Sequence, residues 1–561
     1  MEKRVLLAIV LCIIVLVLWE KFFIPKRKPA PPATSPEIEK TTPTPLKPDT
    51  VSPQQPQVPV SQTPPVSPPS IPPQAPYAGK DVVVETPLYR AVFTETGARL
   101  KSFVLKKFRE TIDKNSPGME LVKTSKIEEL PLPFNFVNNP VAALNLAPYV
   151  ADQPFLKVAG SEAKPLNFRY EAPGWLRITR QCVFHGDKYL IDLSIRVENL
   201  SSQAWENSPT LSLINLPISA SGSSRYTFQG PALFSKDKLQ EVKLNKLKGE
   251  TQFPGPIDWI AYTSQYFTMA VVPIDLAPNH AQLEALDIAR QMVETTFIGP
   301  KITLQPGAQQ EFRYKLYLGP KEESFLKAAD PKLKDIINYG WFDIIAQPLL
   351  KCLKFFNRYT HNYGVDIIIL TILIKLLFWP LTHKSYVSMQ QMKKLQPKMQ
   401  KIREKYKDDK EKMNQEIMQM YRTHKVNPVG GCLPMILQIP VFFALYRVLY
   451  SALAIRHAPF IWWIHDLAAP DRLPLGFKIP IHYWNLDAGL PVLTLLMGVS
   501  MFFQQKMSPT TGDPRQEKMM LMMPVVFTFF FINFPSGLVL YWLVNNILSI
   551  GQQYYINKKA A

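Results

Sequence analysis

Apolar residues gather into six runs, near 5–19, 365–382, 431–450, 490–505, 519–534 and 537–551. None is an unbroken twenty-residue apolar stretch, the length that crosses a hydrocarbon core of about 30 Å. Together, with five of the six beyond residue 360, they predict a polytopic membrane protein with six transmembrane helices. The first run follows Lys3-Arg4 and ends in Trp19, Glu20 and Lys21, with no small-x-small cleavage site behind it. Residues 1–24 therefore read as an uncleaved signal anchor.

After this anchor the pattern changes. Residues 25–79 are proline-rich, cannot bury a core and suit an extended tether. Residues 80–328 alternate with period 2. In 189-YLIDLSIRVENLS-201, Tyr189, Ile191, Leu193, Ile195 and Val197 alternate with Asp192, Ser194, Arg196 and Glu198, the mark of a half-buried strand. The pieces 266-YFTMAVVPI-274 and 312-FRYKLYLG-319 are similar, so this region is expected to be a large β-sandwich. Over 329–360, Leu333, Ile336, Ile337, Trp341, Ile344 and Ile345 fall near one helical face opposite Lys332, Lys334 and Asp335. That pattern predicts an amphipathic helix lying along the bilayer, with packing on the β domain as the alternative.

The second span is placed at 361–383. Residues 384–428 then read as a basic helical hairpin. Met392, Leu395, Met399, Ile402 and Tyr406 recur at three or four. A turn follows at Asp408–Asp409, then a second helix through Ile417 and Tyr421, stopped by Asn427-Pro428 and Gly430-Gly431. Residues 429–561 hold the last four spans, short loops and a basic tail.

The formal net charge of +19 suits nucleic acid or an anionic membrane surface, and the apolar runs decide for the membrane. Twelve Lys or Arg against five Asp or Glu give 384–425 a net charge of +7, which places the hairpin in the cytoplasm. The loop 506–518 and the tail Lys558-Lys559, each two spans further on, agree. Both termini are then cytoplasmic and 25–360 lies outside. The flanks of the first span point the other way, with Lys21, Lys26, Arg27 and Lys28 behind it. The four cysteines show no CxxC or zinc-like spacing, and Cys182 alone falls in the β region, which excludes an internal disulfide there. No His/Asp/Ser constellation suggests catalysis, and His185 reads as a surface or strand histidine.

One residue breaks the apolar pattern of the second span. In 367-IIILTILIKLLFWP-380, Lys375 lies mid-helix, where a charge costs roughly 2.5–3.5 kcal/mol on insertion scales. The runs 431–450, 490–505, 519–534 and 537–553 contain no Asp or Glu. Asp366, nine residues up the same helix, is about 13 Å away. Uncharged polar residues recur instead: Thr371 one turn from Lys375, Gln438 in the third span, and Asn545, Asn546, Ser549, Gln552 and Gln553 as a stripe along the sixth. The lysine is thus expected to be solvated by water and amides. Snorkelling and, for the amides, interhelical hydrogen bonding are the alternatives. A secondary transporter with Lys375 as coupling site is the rival function, but transporters pair such charges with acids and show repeated halves, neither of which is visible.

Four long segments carry a resemblance. The run 395-LQPKMQKIREKYKDDKEKMNQEIMQMYRTHKVNPVGGCLPMILQIPVFFALY-446 closely resembles the YidC membrane protein insertases of bacteria. So do 458-APFIWWIHDL-467, 497-MGVSMFFQQKMSPT-510 and 535-PSGLVLYWLVNNILSIGQQ-553. The resemblance implies a polytopic α-helical protein of the bacterial inner membrane, with six transmembrane helices, a five-helix insertase core and a large periplasmic β-supersandwich domain. It implies insertion and chaperoning of nascent membrane proteins through a hydrophilic groove open to cytoplasm and lipid, and no cofactor, metal or enzymatic chemistry. The implied partners are those clients, the Sec translocon and its accessory subunits, the translating ribosome or targeting factors, and anionic lipids. Lys375 aligns with a groove position that is typically arginine, and Thr371, Gln438, Asn545, Asn546 and Ser549 join it as groove residues. Ile439, Phe442, Phe527 and Phe530 lie near a greasy slide for the client helix, flanked by Tyr541 and Trp542. Asp408 and Asp409 match a functional motif at the hairpin tip, although a turn needs such residues anyway.

Overall fold

The computed structural model describes residues 79–138, 144–218, 228–244, 247, 249–424, 426, 433–475, 489–507 and 514–560. The expected signal anchor, the tether up to residue 78, the helix stop at 427–431 and the tip of the 506–518 loop lie outside the described residues.

The alternating sequence from residue 80 builds packed β-sheets. A nine-stranded sheet runs in the order Lys238–Glu241, Gly230–Ser235, Ile257–Thr263, Phe267–Ile274, Gln309–Pro320, Leu190–Asn199, Leu176–His185, Ala163–Ala172 and Val150–Ala151. Its centre is antiparallel, with Leu193 opposite Cys182 on one side and Tyr314 on the other. Ile191, Leu193, Ile195 and Val197 are buried as the alternation requires, because successive side chains point to opposite faces. Two five-stranded sheets cover it. Phe93 of one packs its ring 5.8 Å from Phe168 and 5.8 Å from Phe184 of the large sheet. Phe297 of the other lies 6.0 Å from Tyr314. His185 ends a strand and bonds Asp192 at 2.7 Å, as a strand histidine should.

Two arginines are buried in this core, Arg99 and Arg180. Arg180 donates to Gly97 O at 2.9 Å and to Leu132 O at 3.2 Å, while Arg99 donates to Leu130 O and Glu128 O. They pin the irregular 128–132 segment through its backbone carbonyls, which explains why strand periodicity does not reveal them.

The region 329–360 is not one amphipathic helix. After helix α1 (Glu323–Ala329), Pro331–Ile336 and Gly340–Phe342 form short 3₁₀ turns, and helix α2 begins at Asp343 and ends at Thr360. The backbone turns extended at Ile337, and Gly340 opens the second turn with φ +69°, a left-handed conformation suited to glycine. The expected apolar face is split in consequence. Leu333 and Ile336 join the β-domain core, whereas Trp341 and Ile344 are 75% and 86% exposed.

Helix α3 (Tyr363–Lys405) spans 43 residues without a break. The second apolar run and the first arm of the hairpin are thus one helix, continuous across the expected change of region at 383/384. The pattern changes there from apolar to basic while backbone hydrogen bonding continues. Helix α4 (Lys410–Thr423) returns after a turn at 406–409. Leu395, Met399, Met420 and Val426 form a small core between the arms, and Tyr421 Oη donates to Met399 Sδ at 3.1 Å. Helices α5 (Leu433–Ser451), α6 (Val492–Met507), α7 (Pro514–Phe531) and α8 (Ser536–Ala560) complete the helical part. Among the described residues only α3 is long and apolar enough by length and composition to cross a membrane, with Met519–Phe531 a shorter apolar helix. The sixteen residues of α6 reach only about 24 Å.

The β domain and the helices are joined by named contacts. Arg456, after α5, donates to Arg109 O at 2.7 Å and Glu110 O at 3.1 Å, and its guanidinium lies 5.6 Å from the Tyr266 ring centre. Gln265 donates to Tyr450 O at 2.6 Å, and Lys354 of α2 pairs with Glu322.

Candidate functional site

Lys375 sits on α3 with 5% of its surface exposed. Its Nζ donates to Ser549 Oγ of α8 at 2.6 Å, and Ser549 Oγ donates back to Asn545 O at 2.7 Å. A protonated lysine has three donors. Among the described residues Lys375 has this one acceptor and no acidic partner. Taking an ion out of water costs several kcal/mol, and one hydrogen bond to a charged group returns about 1.5–3 kcal/mol. The arrangement keeps a polar, under-satisfied cation inside the helical part.

The partners continue along both helices. Tyr386 of α3 bonds the side chains of Ser549 and Gln553. Gln552 Nε2 donates to Thr382 Oγ1 at 3.0 Å, and the Gln390 amide donates to Asn557. Lys375, Thr382, Tyr386 and Gln390 recur at intervals of seven and four, so they share one face of α3. Asn545 and Gln438, from α8 and α5, bond to each other at 2.9 Å.

Two expected groove residues lie apart from this cluster. Thr371 is buried, but its hydroxyl donates to Ile367 O at 2.6 Å within its own helix. Asn546 points the other way and donates to Ser500 Oγ of α6 at 3.0 Å, acting as interhelical glue. Asp366 is also apart. It is buried at the far end of α3 and accepts from Asn357 Nδ2 at 2.8 Å and from Thr360 Oγ1, tying α3 to α2. Among the described residues Lys375 thus meets one hydroxyl, itself tied to Asn545 O, where the sequence suggested solvation by water and amides.

The apolar residues form an aromatic group. Phe442 of α5 packs edge-on at 4.9 Å against Trp542 of α8, and Phe527 of α7 lies 6.3 Å from Trp542. Phe531, absent from the sequence prediction, is buried at the centre, 5.0 Å from Trp542 and 6.2 Å from Phe442. Tyr541 is buried among the helices, Ile439 is half-buried, and Phe530 is 58% exposed beside Phe534. At the hairpin tip, Asp409 caps α4 by accepting from Lys412 N at 3.0 Å, and Asp408 is exposed. Thr382 and Tyr386 were also missed, although their spacing from Lys375 was the available signal.

A large β-sheet domain docks on helices that hold a lysine with no acidic partner among the described residues, and one of those helices is long and apolar enough to cross a membrane. Comparison with known proteins makes this specific. Residues 355–561 match the family described as 60Kd inner membrane protein, and residues 81–352 match the YidC periplasmic domain. The membrane protein insertase YidC of Syntrophobacter fumaroxidans is 45% identical over 563 residues, covering 100% of both chains. That of Syntrophus aciditrophicus is 42% identical over 569 residues, again covering 100% of both. A solved active YidC insertase with its first transmembrane domain is 19% identical, covers 85% of this chain and 93% of its own, and has a TM-score of 0.35. The chain belongs to the YidC family of membrane protein insertases, inner-membrane proteins with a periplasmic domain.

Proposed function

We propose that Lys375, Ser549, Asn545 and Gln438 form the polar surface that receives the hydrophilic part of a nascent membrane protein during insertion. The observation that carries this reading is the Lys375 ammonium, which among the described residues bonds only Ser549, at 2.6 Å, with two donors left over. An acidic or polar client segment supplies acceptors to those donors. The aromatic group of Phe442, Phe527, Phe531 and Trp542 supplies an apolar track for the client helix. Family membership supports the insertase role, and the transporter reading gains no support.

The same proposal takes six transmembrane helices, five of them around the groove, with both termini cytoplasmic and the β domain, of supersandwich type, in the periplasm. Thr371 and Asn546 support the groove wall through their helix contacts. The basic hairpin, with Asp408 and Asp409 at its tip, is the surface for the ribosome, targeting factors or anionic lipid. The Sec translocon with its accessory subunits is a partner for larger clients.

The test is depletion of the native insertase and complementation with Lys375→Ala or Lys375→Arg. Arginine, a permanent cation, is expected to support insertion of acidic-tailed clients, and alanine to fail. Full insertion by the alanine variant removes the role of the charge.

A further inference from the structure

A cavity of about 970 Å³ lies between the β domain and α2, well away from Lys375. Its wall on α2 is the stripe Asp343, Gln347, Lys351 and Lys354, spaced at three and four and so on one face. Lys321 and Lys334 line the opposite side from the β domain. The wall carries both signs of charge, and part of that charge is already matched. Lys354 pairs with Glu322, and Lys321 donates to Ser264 O at 3.1 Å. Among the described residues Lys334 and Lys351 form no ion pair within 4 Å, although Glu323, itself paired with Lys327, attracts Lys351. Asp343 accepts from Gln347 at 2.7 Å through Oδ2, while its buried Oδ1 has no hydrogen-bond partner.

The next stripe round α2 is apolar and open. Ile344, Cys352, Phe355 and Tyr359 are all exposed. At 3.6 residues per turn this stripe directly borders the polar one. The third face, with Ala346 and Leu353, is buried against the other helices. One helix thus presents a two-signed polar wall beside an apolar one exposed among the described residues, which is the division within a phospholipid.

We propose that this cavity binds the headgroup of an outer-leaflet aminophospholipid, a phosphodiester carrying a primary ammonium. Lys351 and Lys334 take the phosphodiester, Asp343 takes the ammonium, and the acyl chains run along Ile344 and Phe355. A zwitterionic headgroup is favoured over an anionic one because both signs of protein charge remain to be matched. The site rests on the reading that α2 lies at the periplasmic membrane surface.

The full-length protein, reconstituted with equimolar phosphatidylethanolamine, phosphatidylglycerol and phosphatidylcholine, is analysed by native mass spectrometry. Wild type should retain phosphatidylethanolamine at least fivefold over phosphatidylcholine, whose quaternary ammonium has no proton for Asp343. Asp343→Asn should abolish that preference, and Lys351→Gln should lower retention of both phosphatidylethanolamine and phosphatidylglycerol several-fold. Lys334→Gln serves as the second phosphate-side variant should either fail to fold. Equal retention of the three lipids by wild type, or an unchanged preference in Asp343→Asn, overturns the proposal. A depth-sensitive probe on Cys352, with Cys12→Ser and Cys432→Ser, separates the two ideas. A probe in water refutes the placement of α2 and the site with it. A probe in the bilayer together with equal lipid retention refutes the site alone.

Discussion

Removing Ser549 isolates the hydrogen bond that holds Lys375. In Ser549→Ala the ammonium keeps its burial and loses its acceptor at 2.6 Å. A hydrogen bond to a charged group contributes about 1.5–3 kcal/mol, so that loss is the expected destabilisation. In Lys375→Met the charge is gone and the stem remains, so burial no longer opposes a cation and stability should rise. In the Lys375→Met background the serine only completes contacts with Asn545 O and Tyr386, and its removal should cost about 1 kcal/mol or less. The cycle therefore predicts a coupling of about 1–2 kcal/mol between the two positions. Thermal and denaturant unfolding of the purified protein, followed by tryptophan fluorescence, measures it, and the insertion assay is run on the same variants. Lys375→Met should be more stable and fail to insert acidic-tailed clients. A coupling below about 0.5 kcal/mol means that the serine does not hold the lysine, and the site loses its central contact.

Two further outcomes follow from groups outside the helical spans. Burial pushes Lys321 down to about 8 from an ordinary 10.5, with Glu241 opposing the shift. The unfolded chain then binds more protons between those pH values, so stability should rise with pH through that window, and Lys321→Met should flatten the rise in a melting series from pH 7.5 to 10.5. Asp409→Ala removes the cap of α4 and should cost about 0.5–2 kcal/mol, seen as faster proteolysis within 406–424 and no change in the β domain.

Much of this fold was legible because burial imposes a period. The alternation at Ile191, Leu193, Ile195 and Val197 marked a strand, and the 3–4 spacing of Leu395 and Met399 marked the hairpin core. The stripe on α8 was legible too, since Asn545 and Ser549 stand one turn apart and both reach the Lys375 cluster. Pairing was not legible. Nothing in the sequence says that Asn546 turns to Ser500 while its neighbour Asn545 turns to Gln438. Adjacent residues differ by about 100° around a helix, so they face different neighbours, and only tertiary packing decides which. Element ends failed where hydropathy and backbone part company. Leu333 and Trp341 share an apolar face on paper, but the chain turns extended at Ile337 between them. At 383/384 the polarity changes and the helix does not.

The unbroken helix α3 also has a mechanical meaning. Its N-terminal end is tied to α2 at Asp366 by Asn357 and Thr360. Lys375 lies nine residues from that fixed point and Lys405 thirty-nine, about 13 Å and 58 Å along the axis. Swinging as a rod about Asp366, the helix scales motion down roughly fourfold from its far end to the lysine. A sideways shift of about 4 Å at the hairpin then carries Lys375 by about 1 Å, enough to part a 2.6 Å bond to Ser549. Whatever docks on the hairpin holds the long arm of a lever whose short arm bears the lysine.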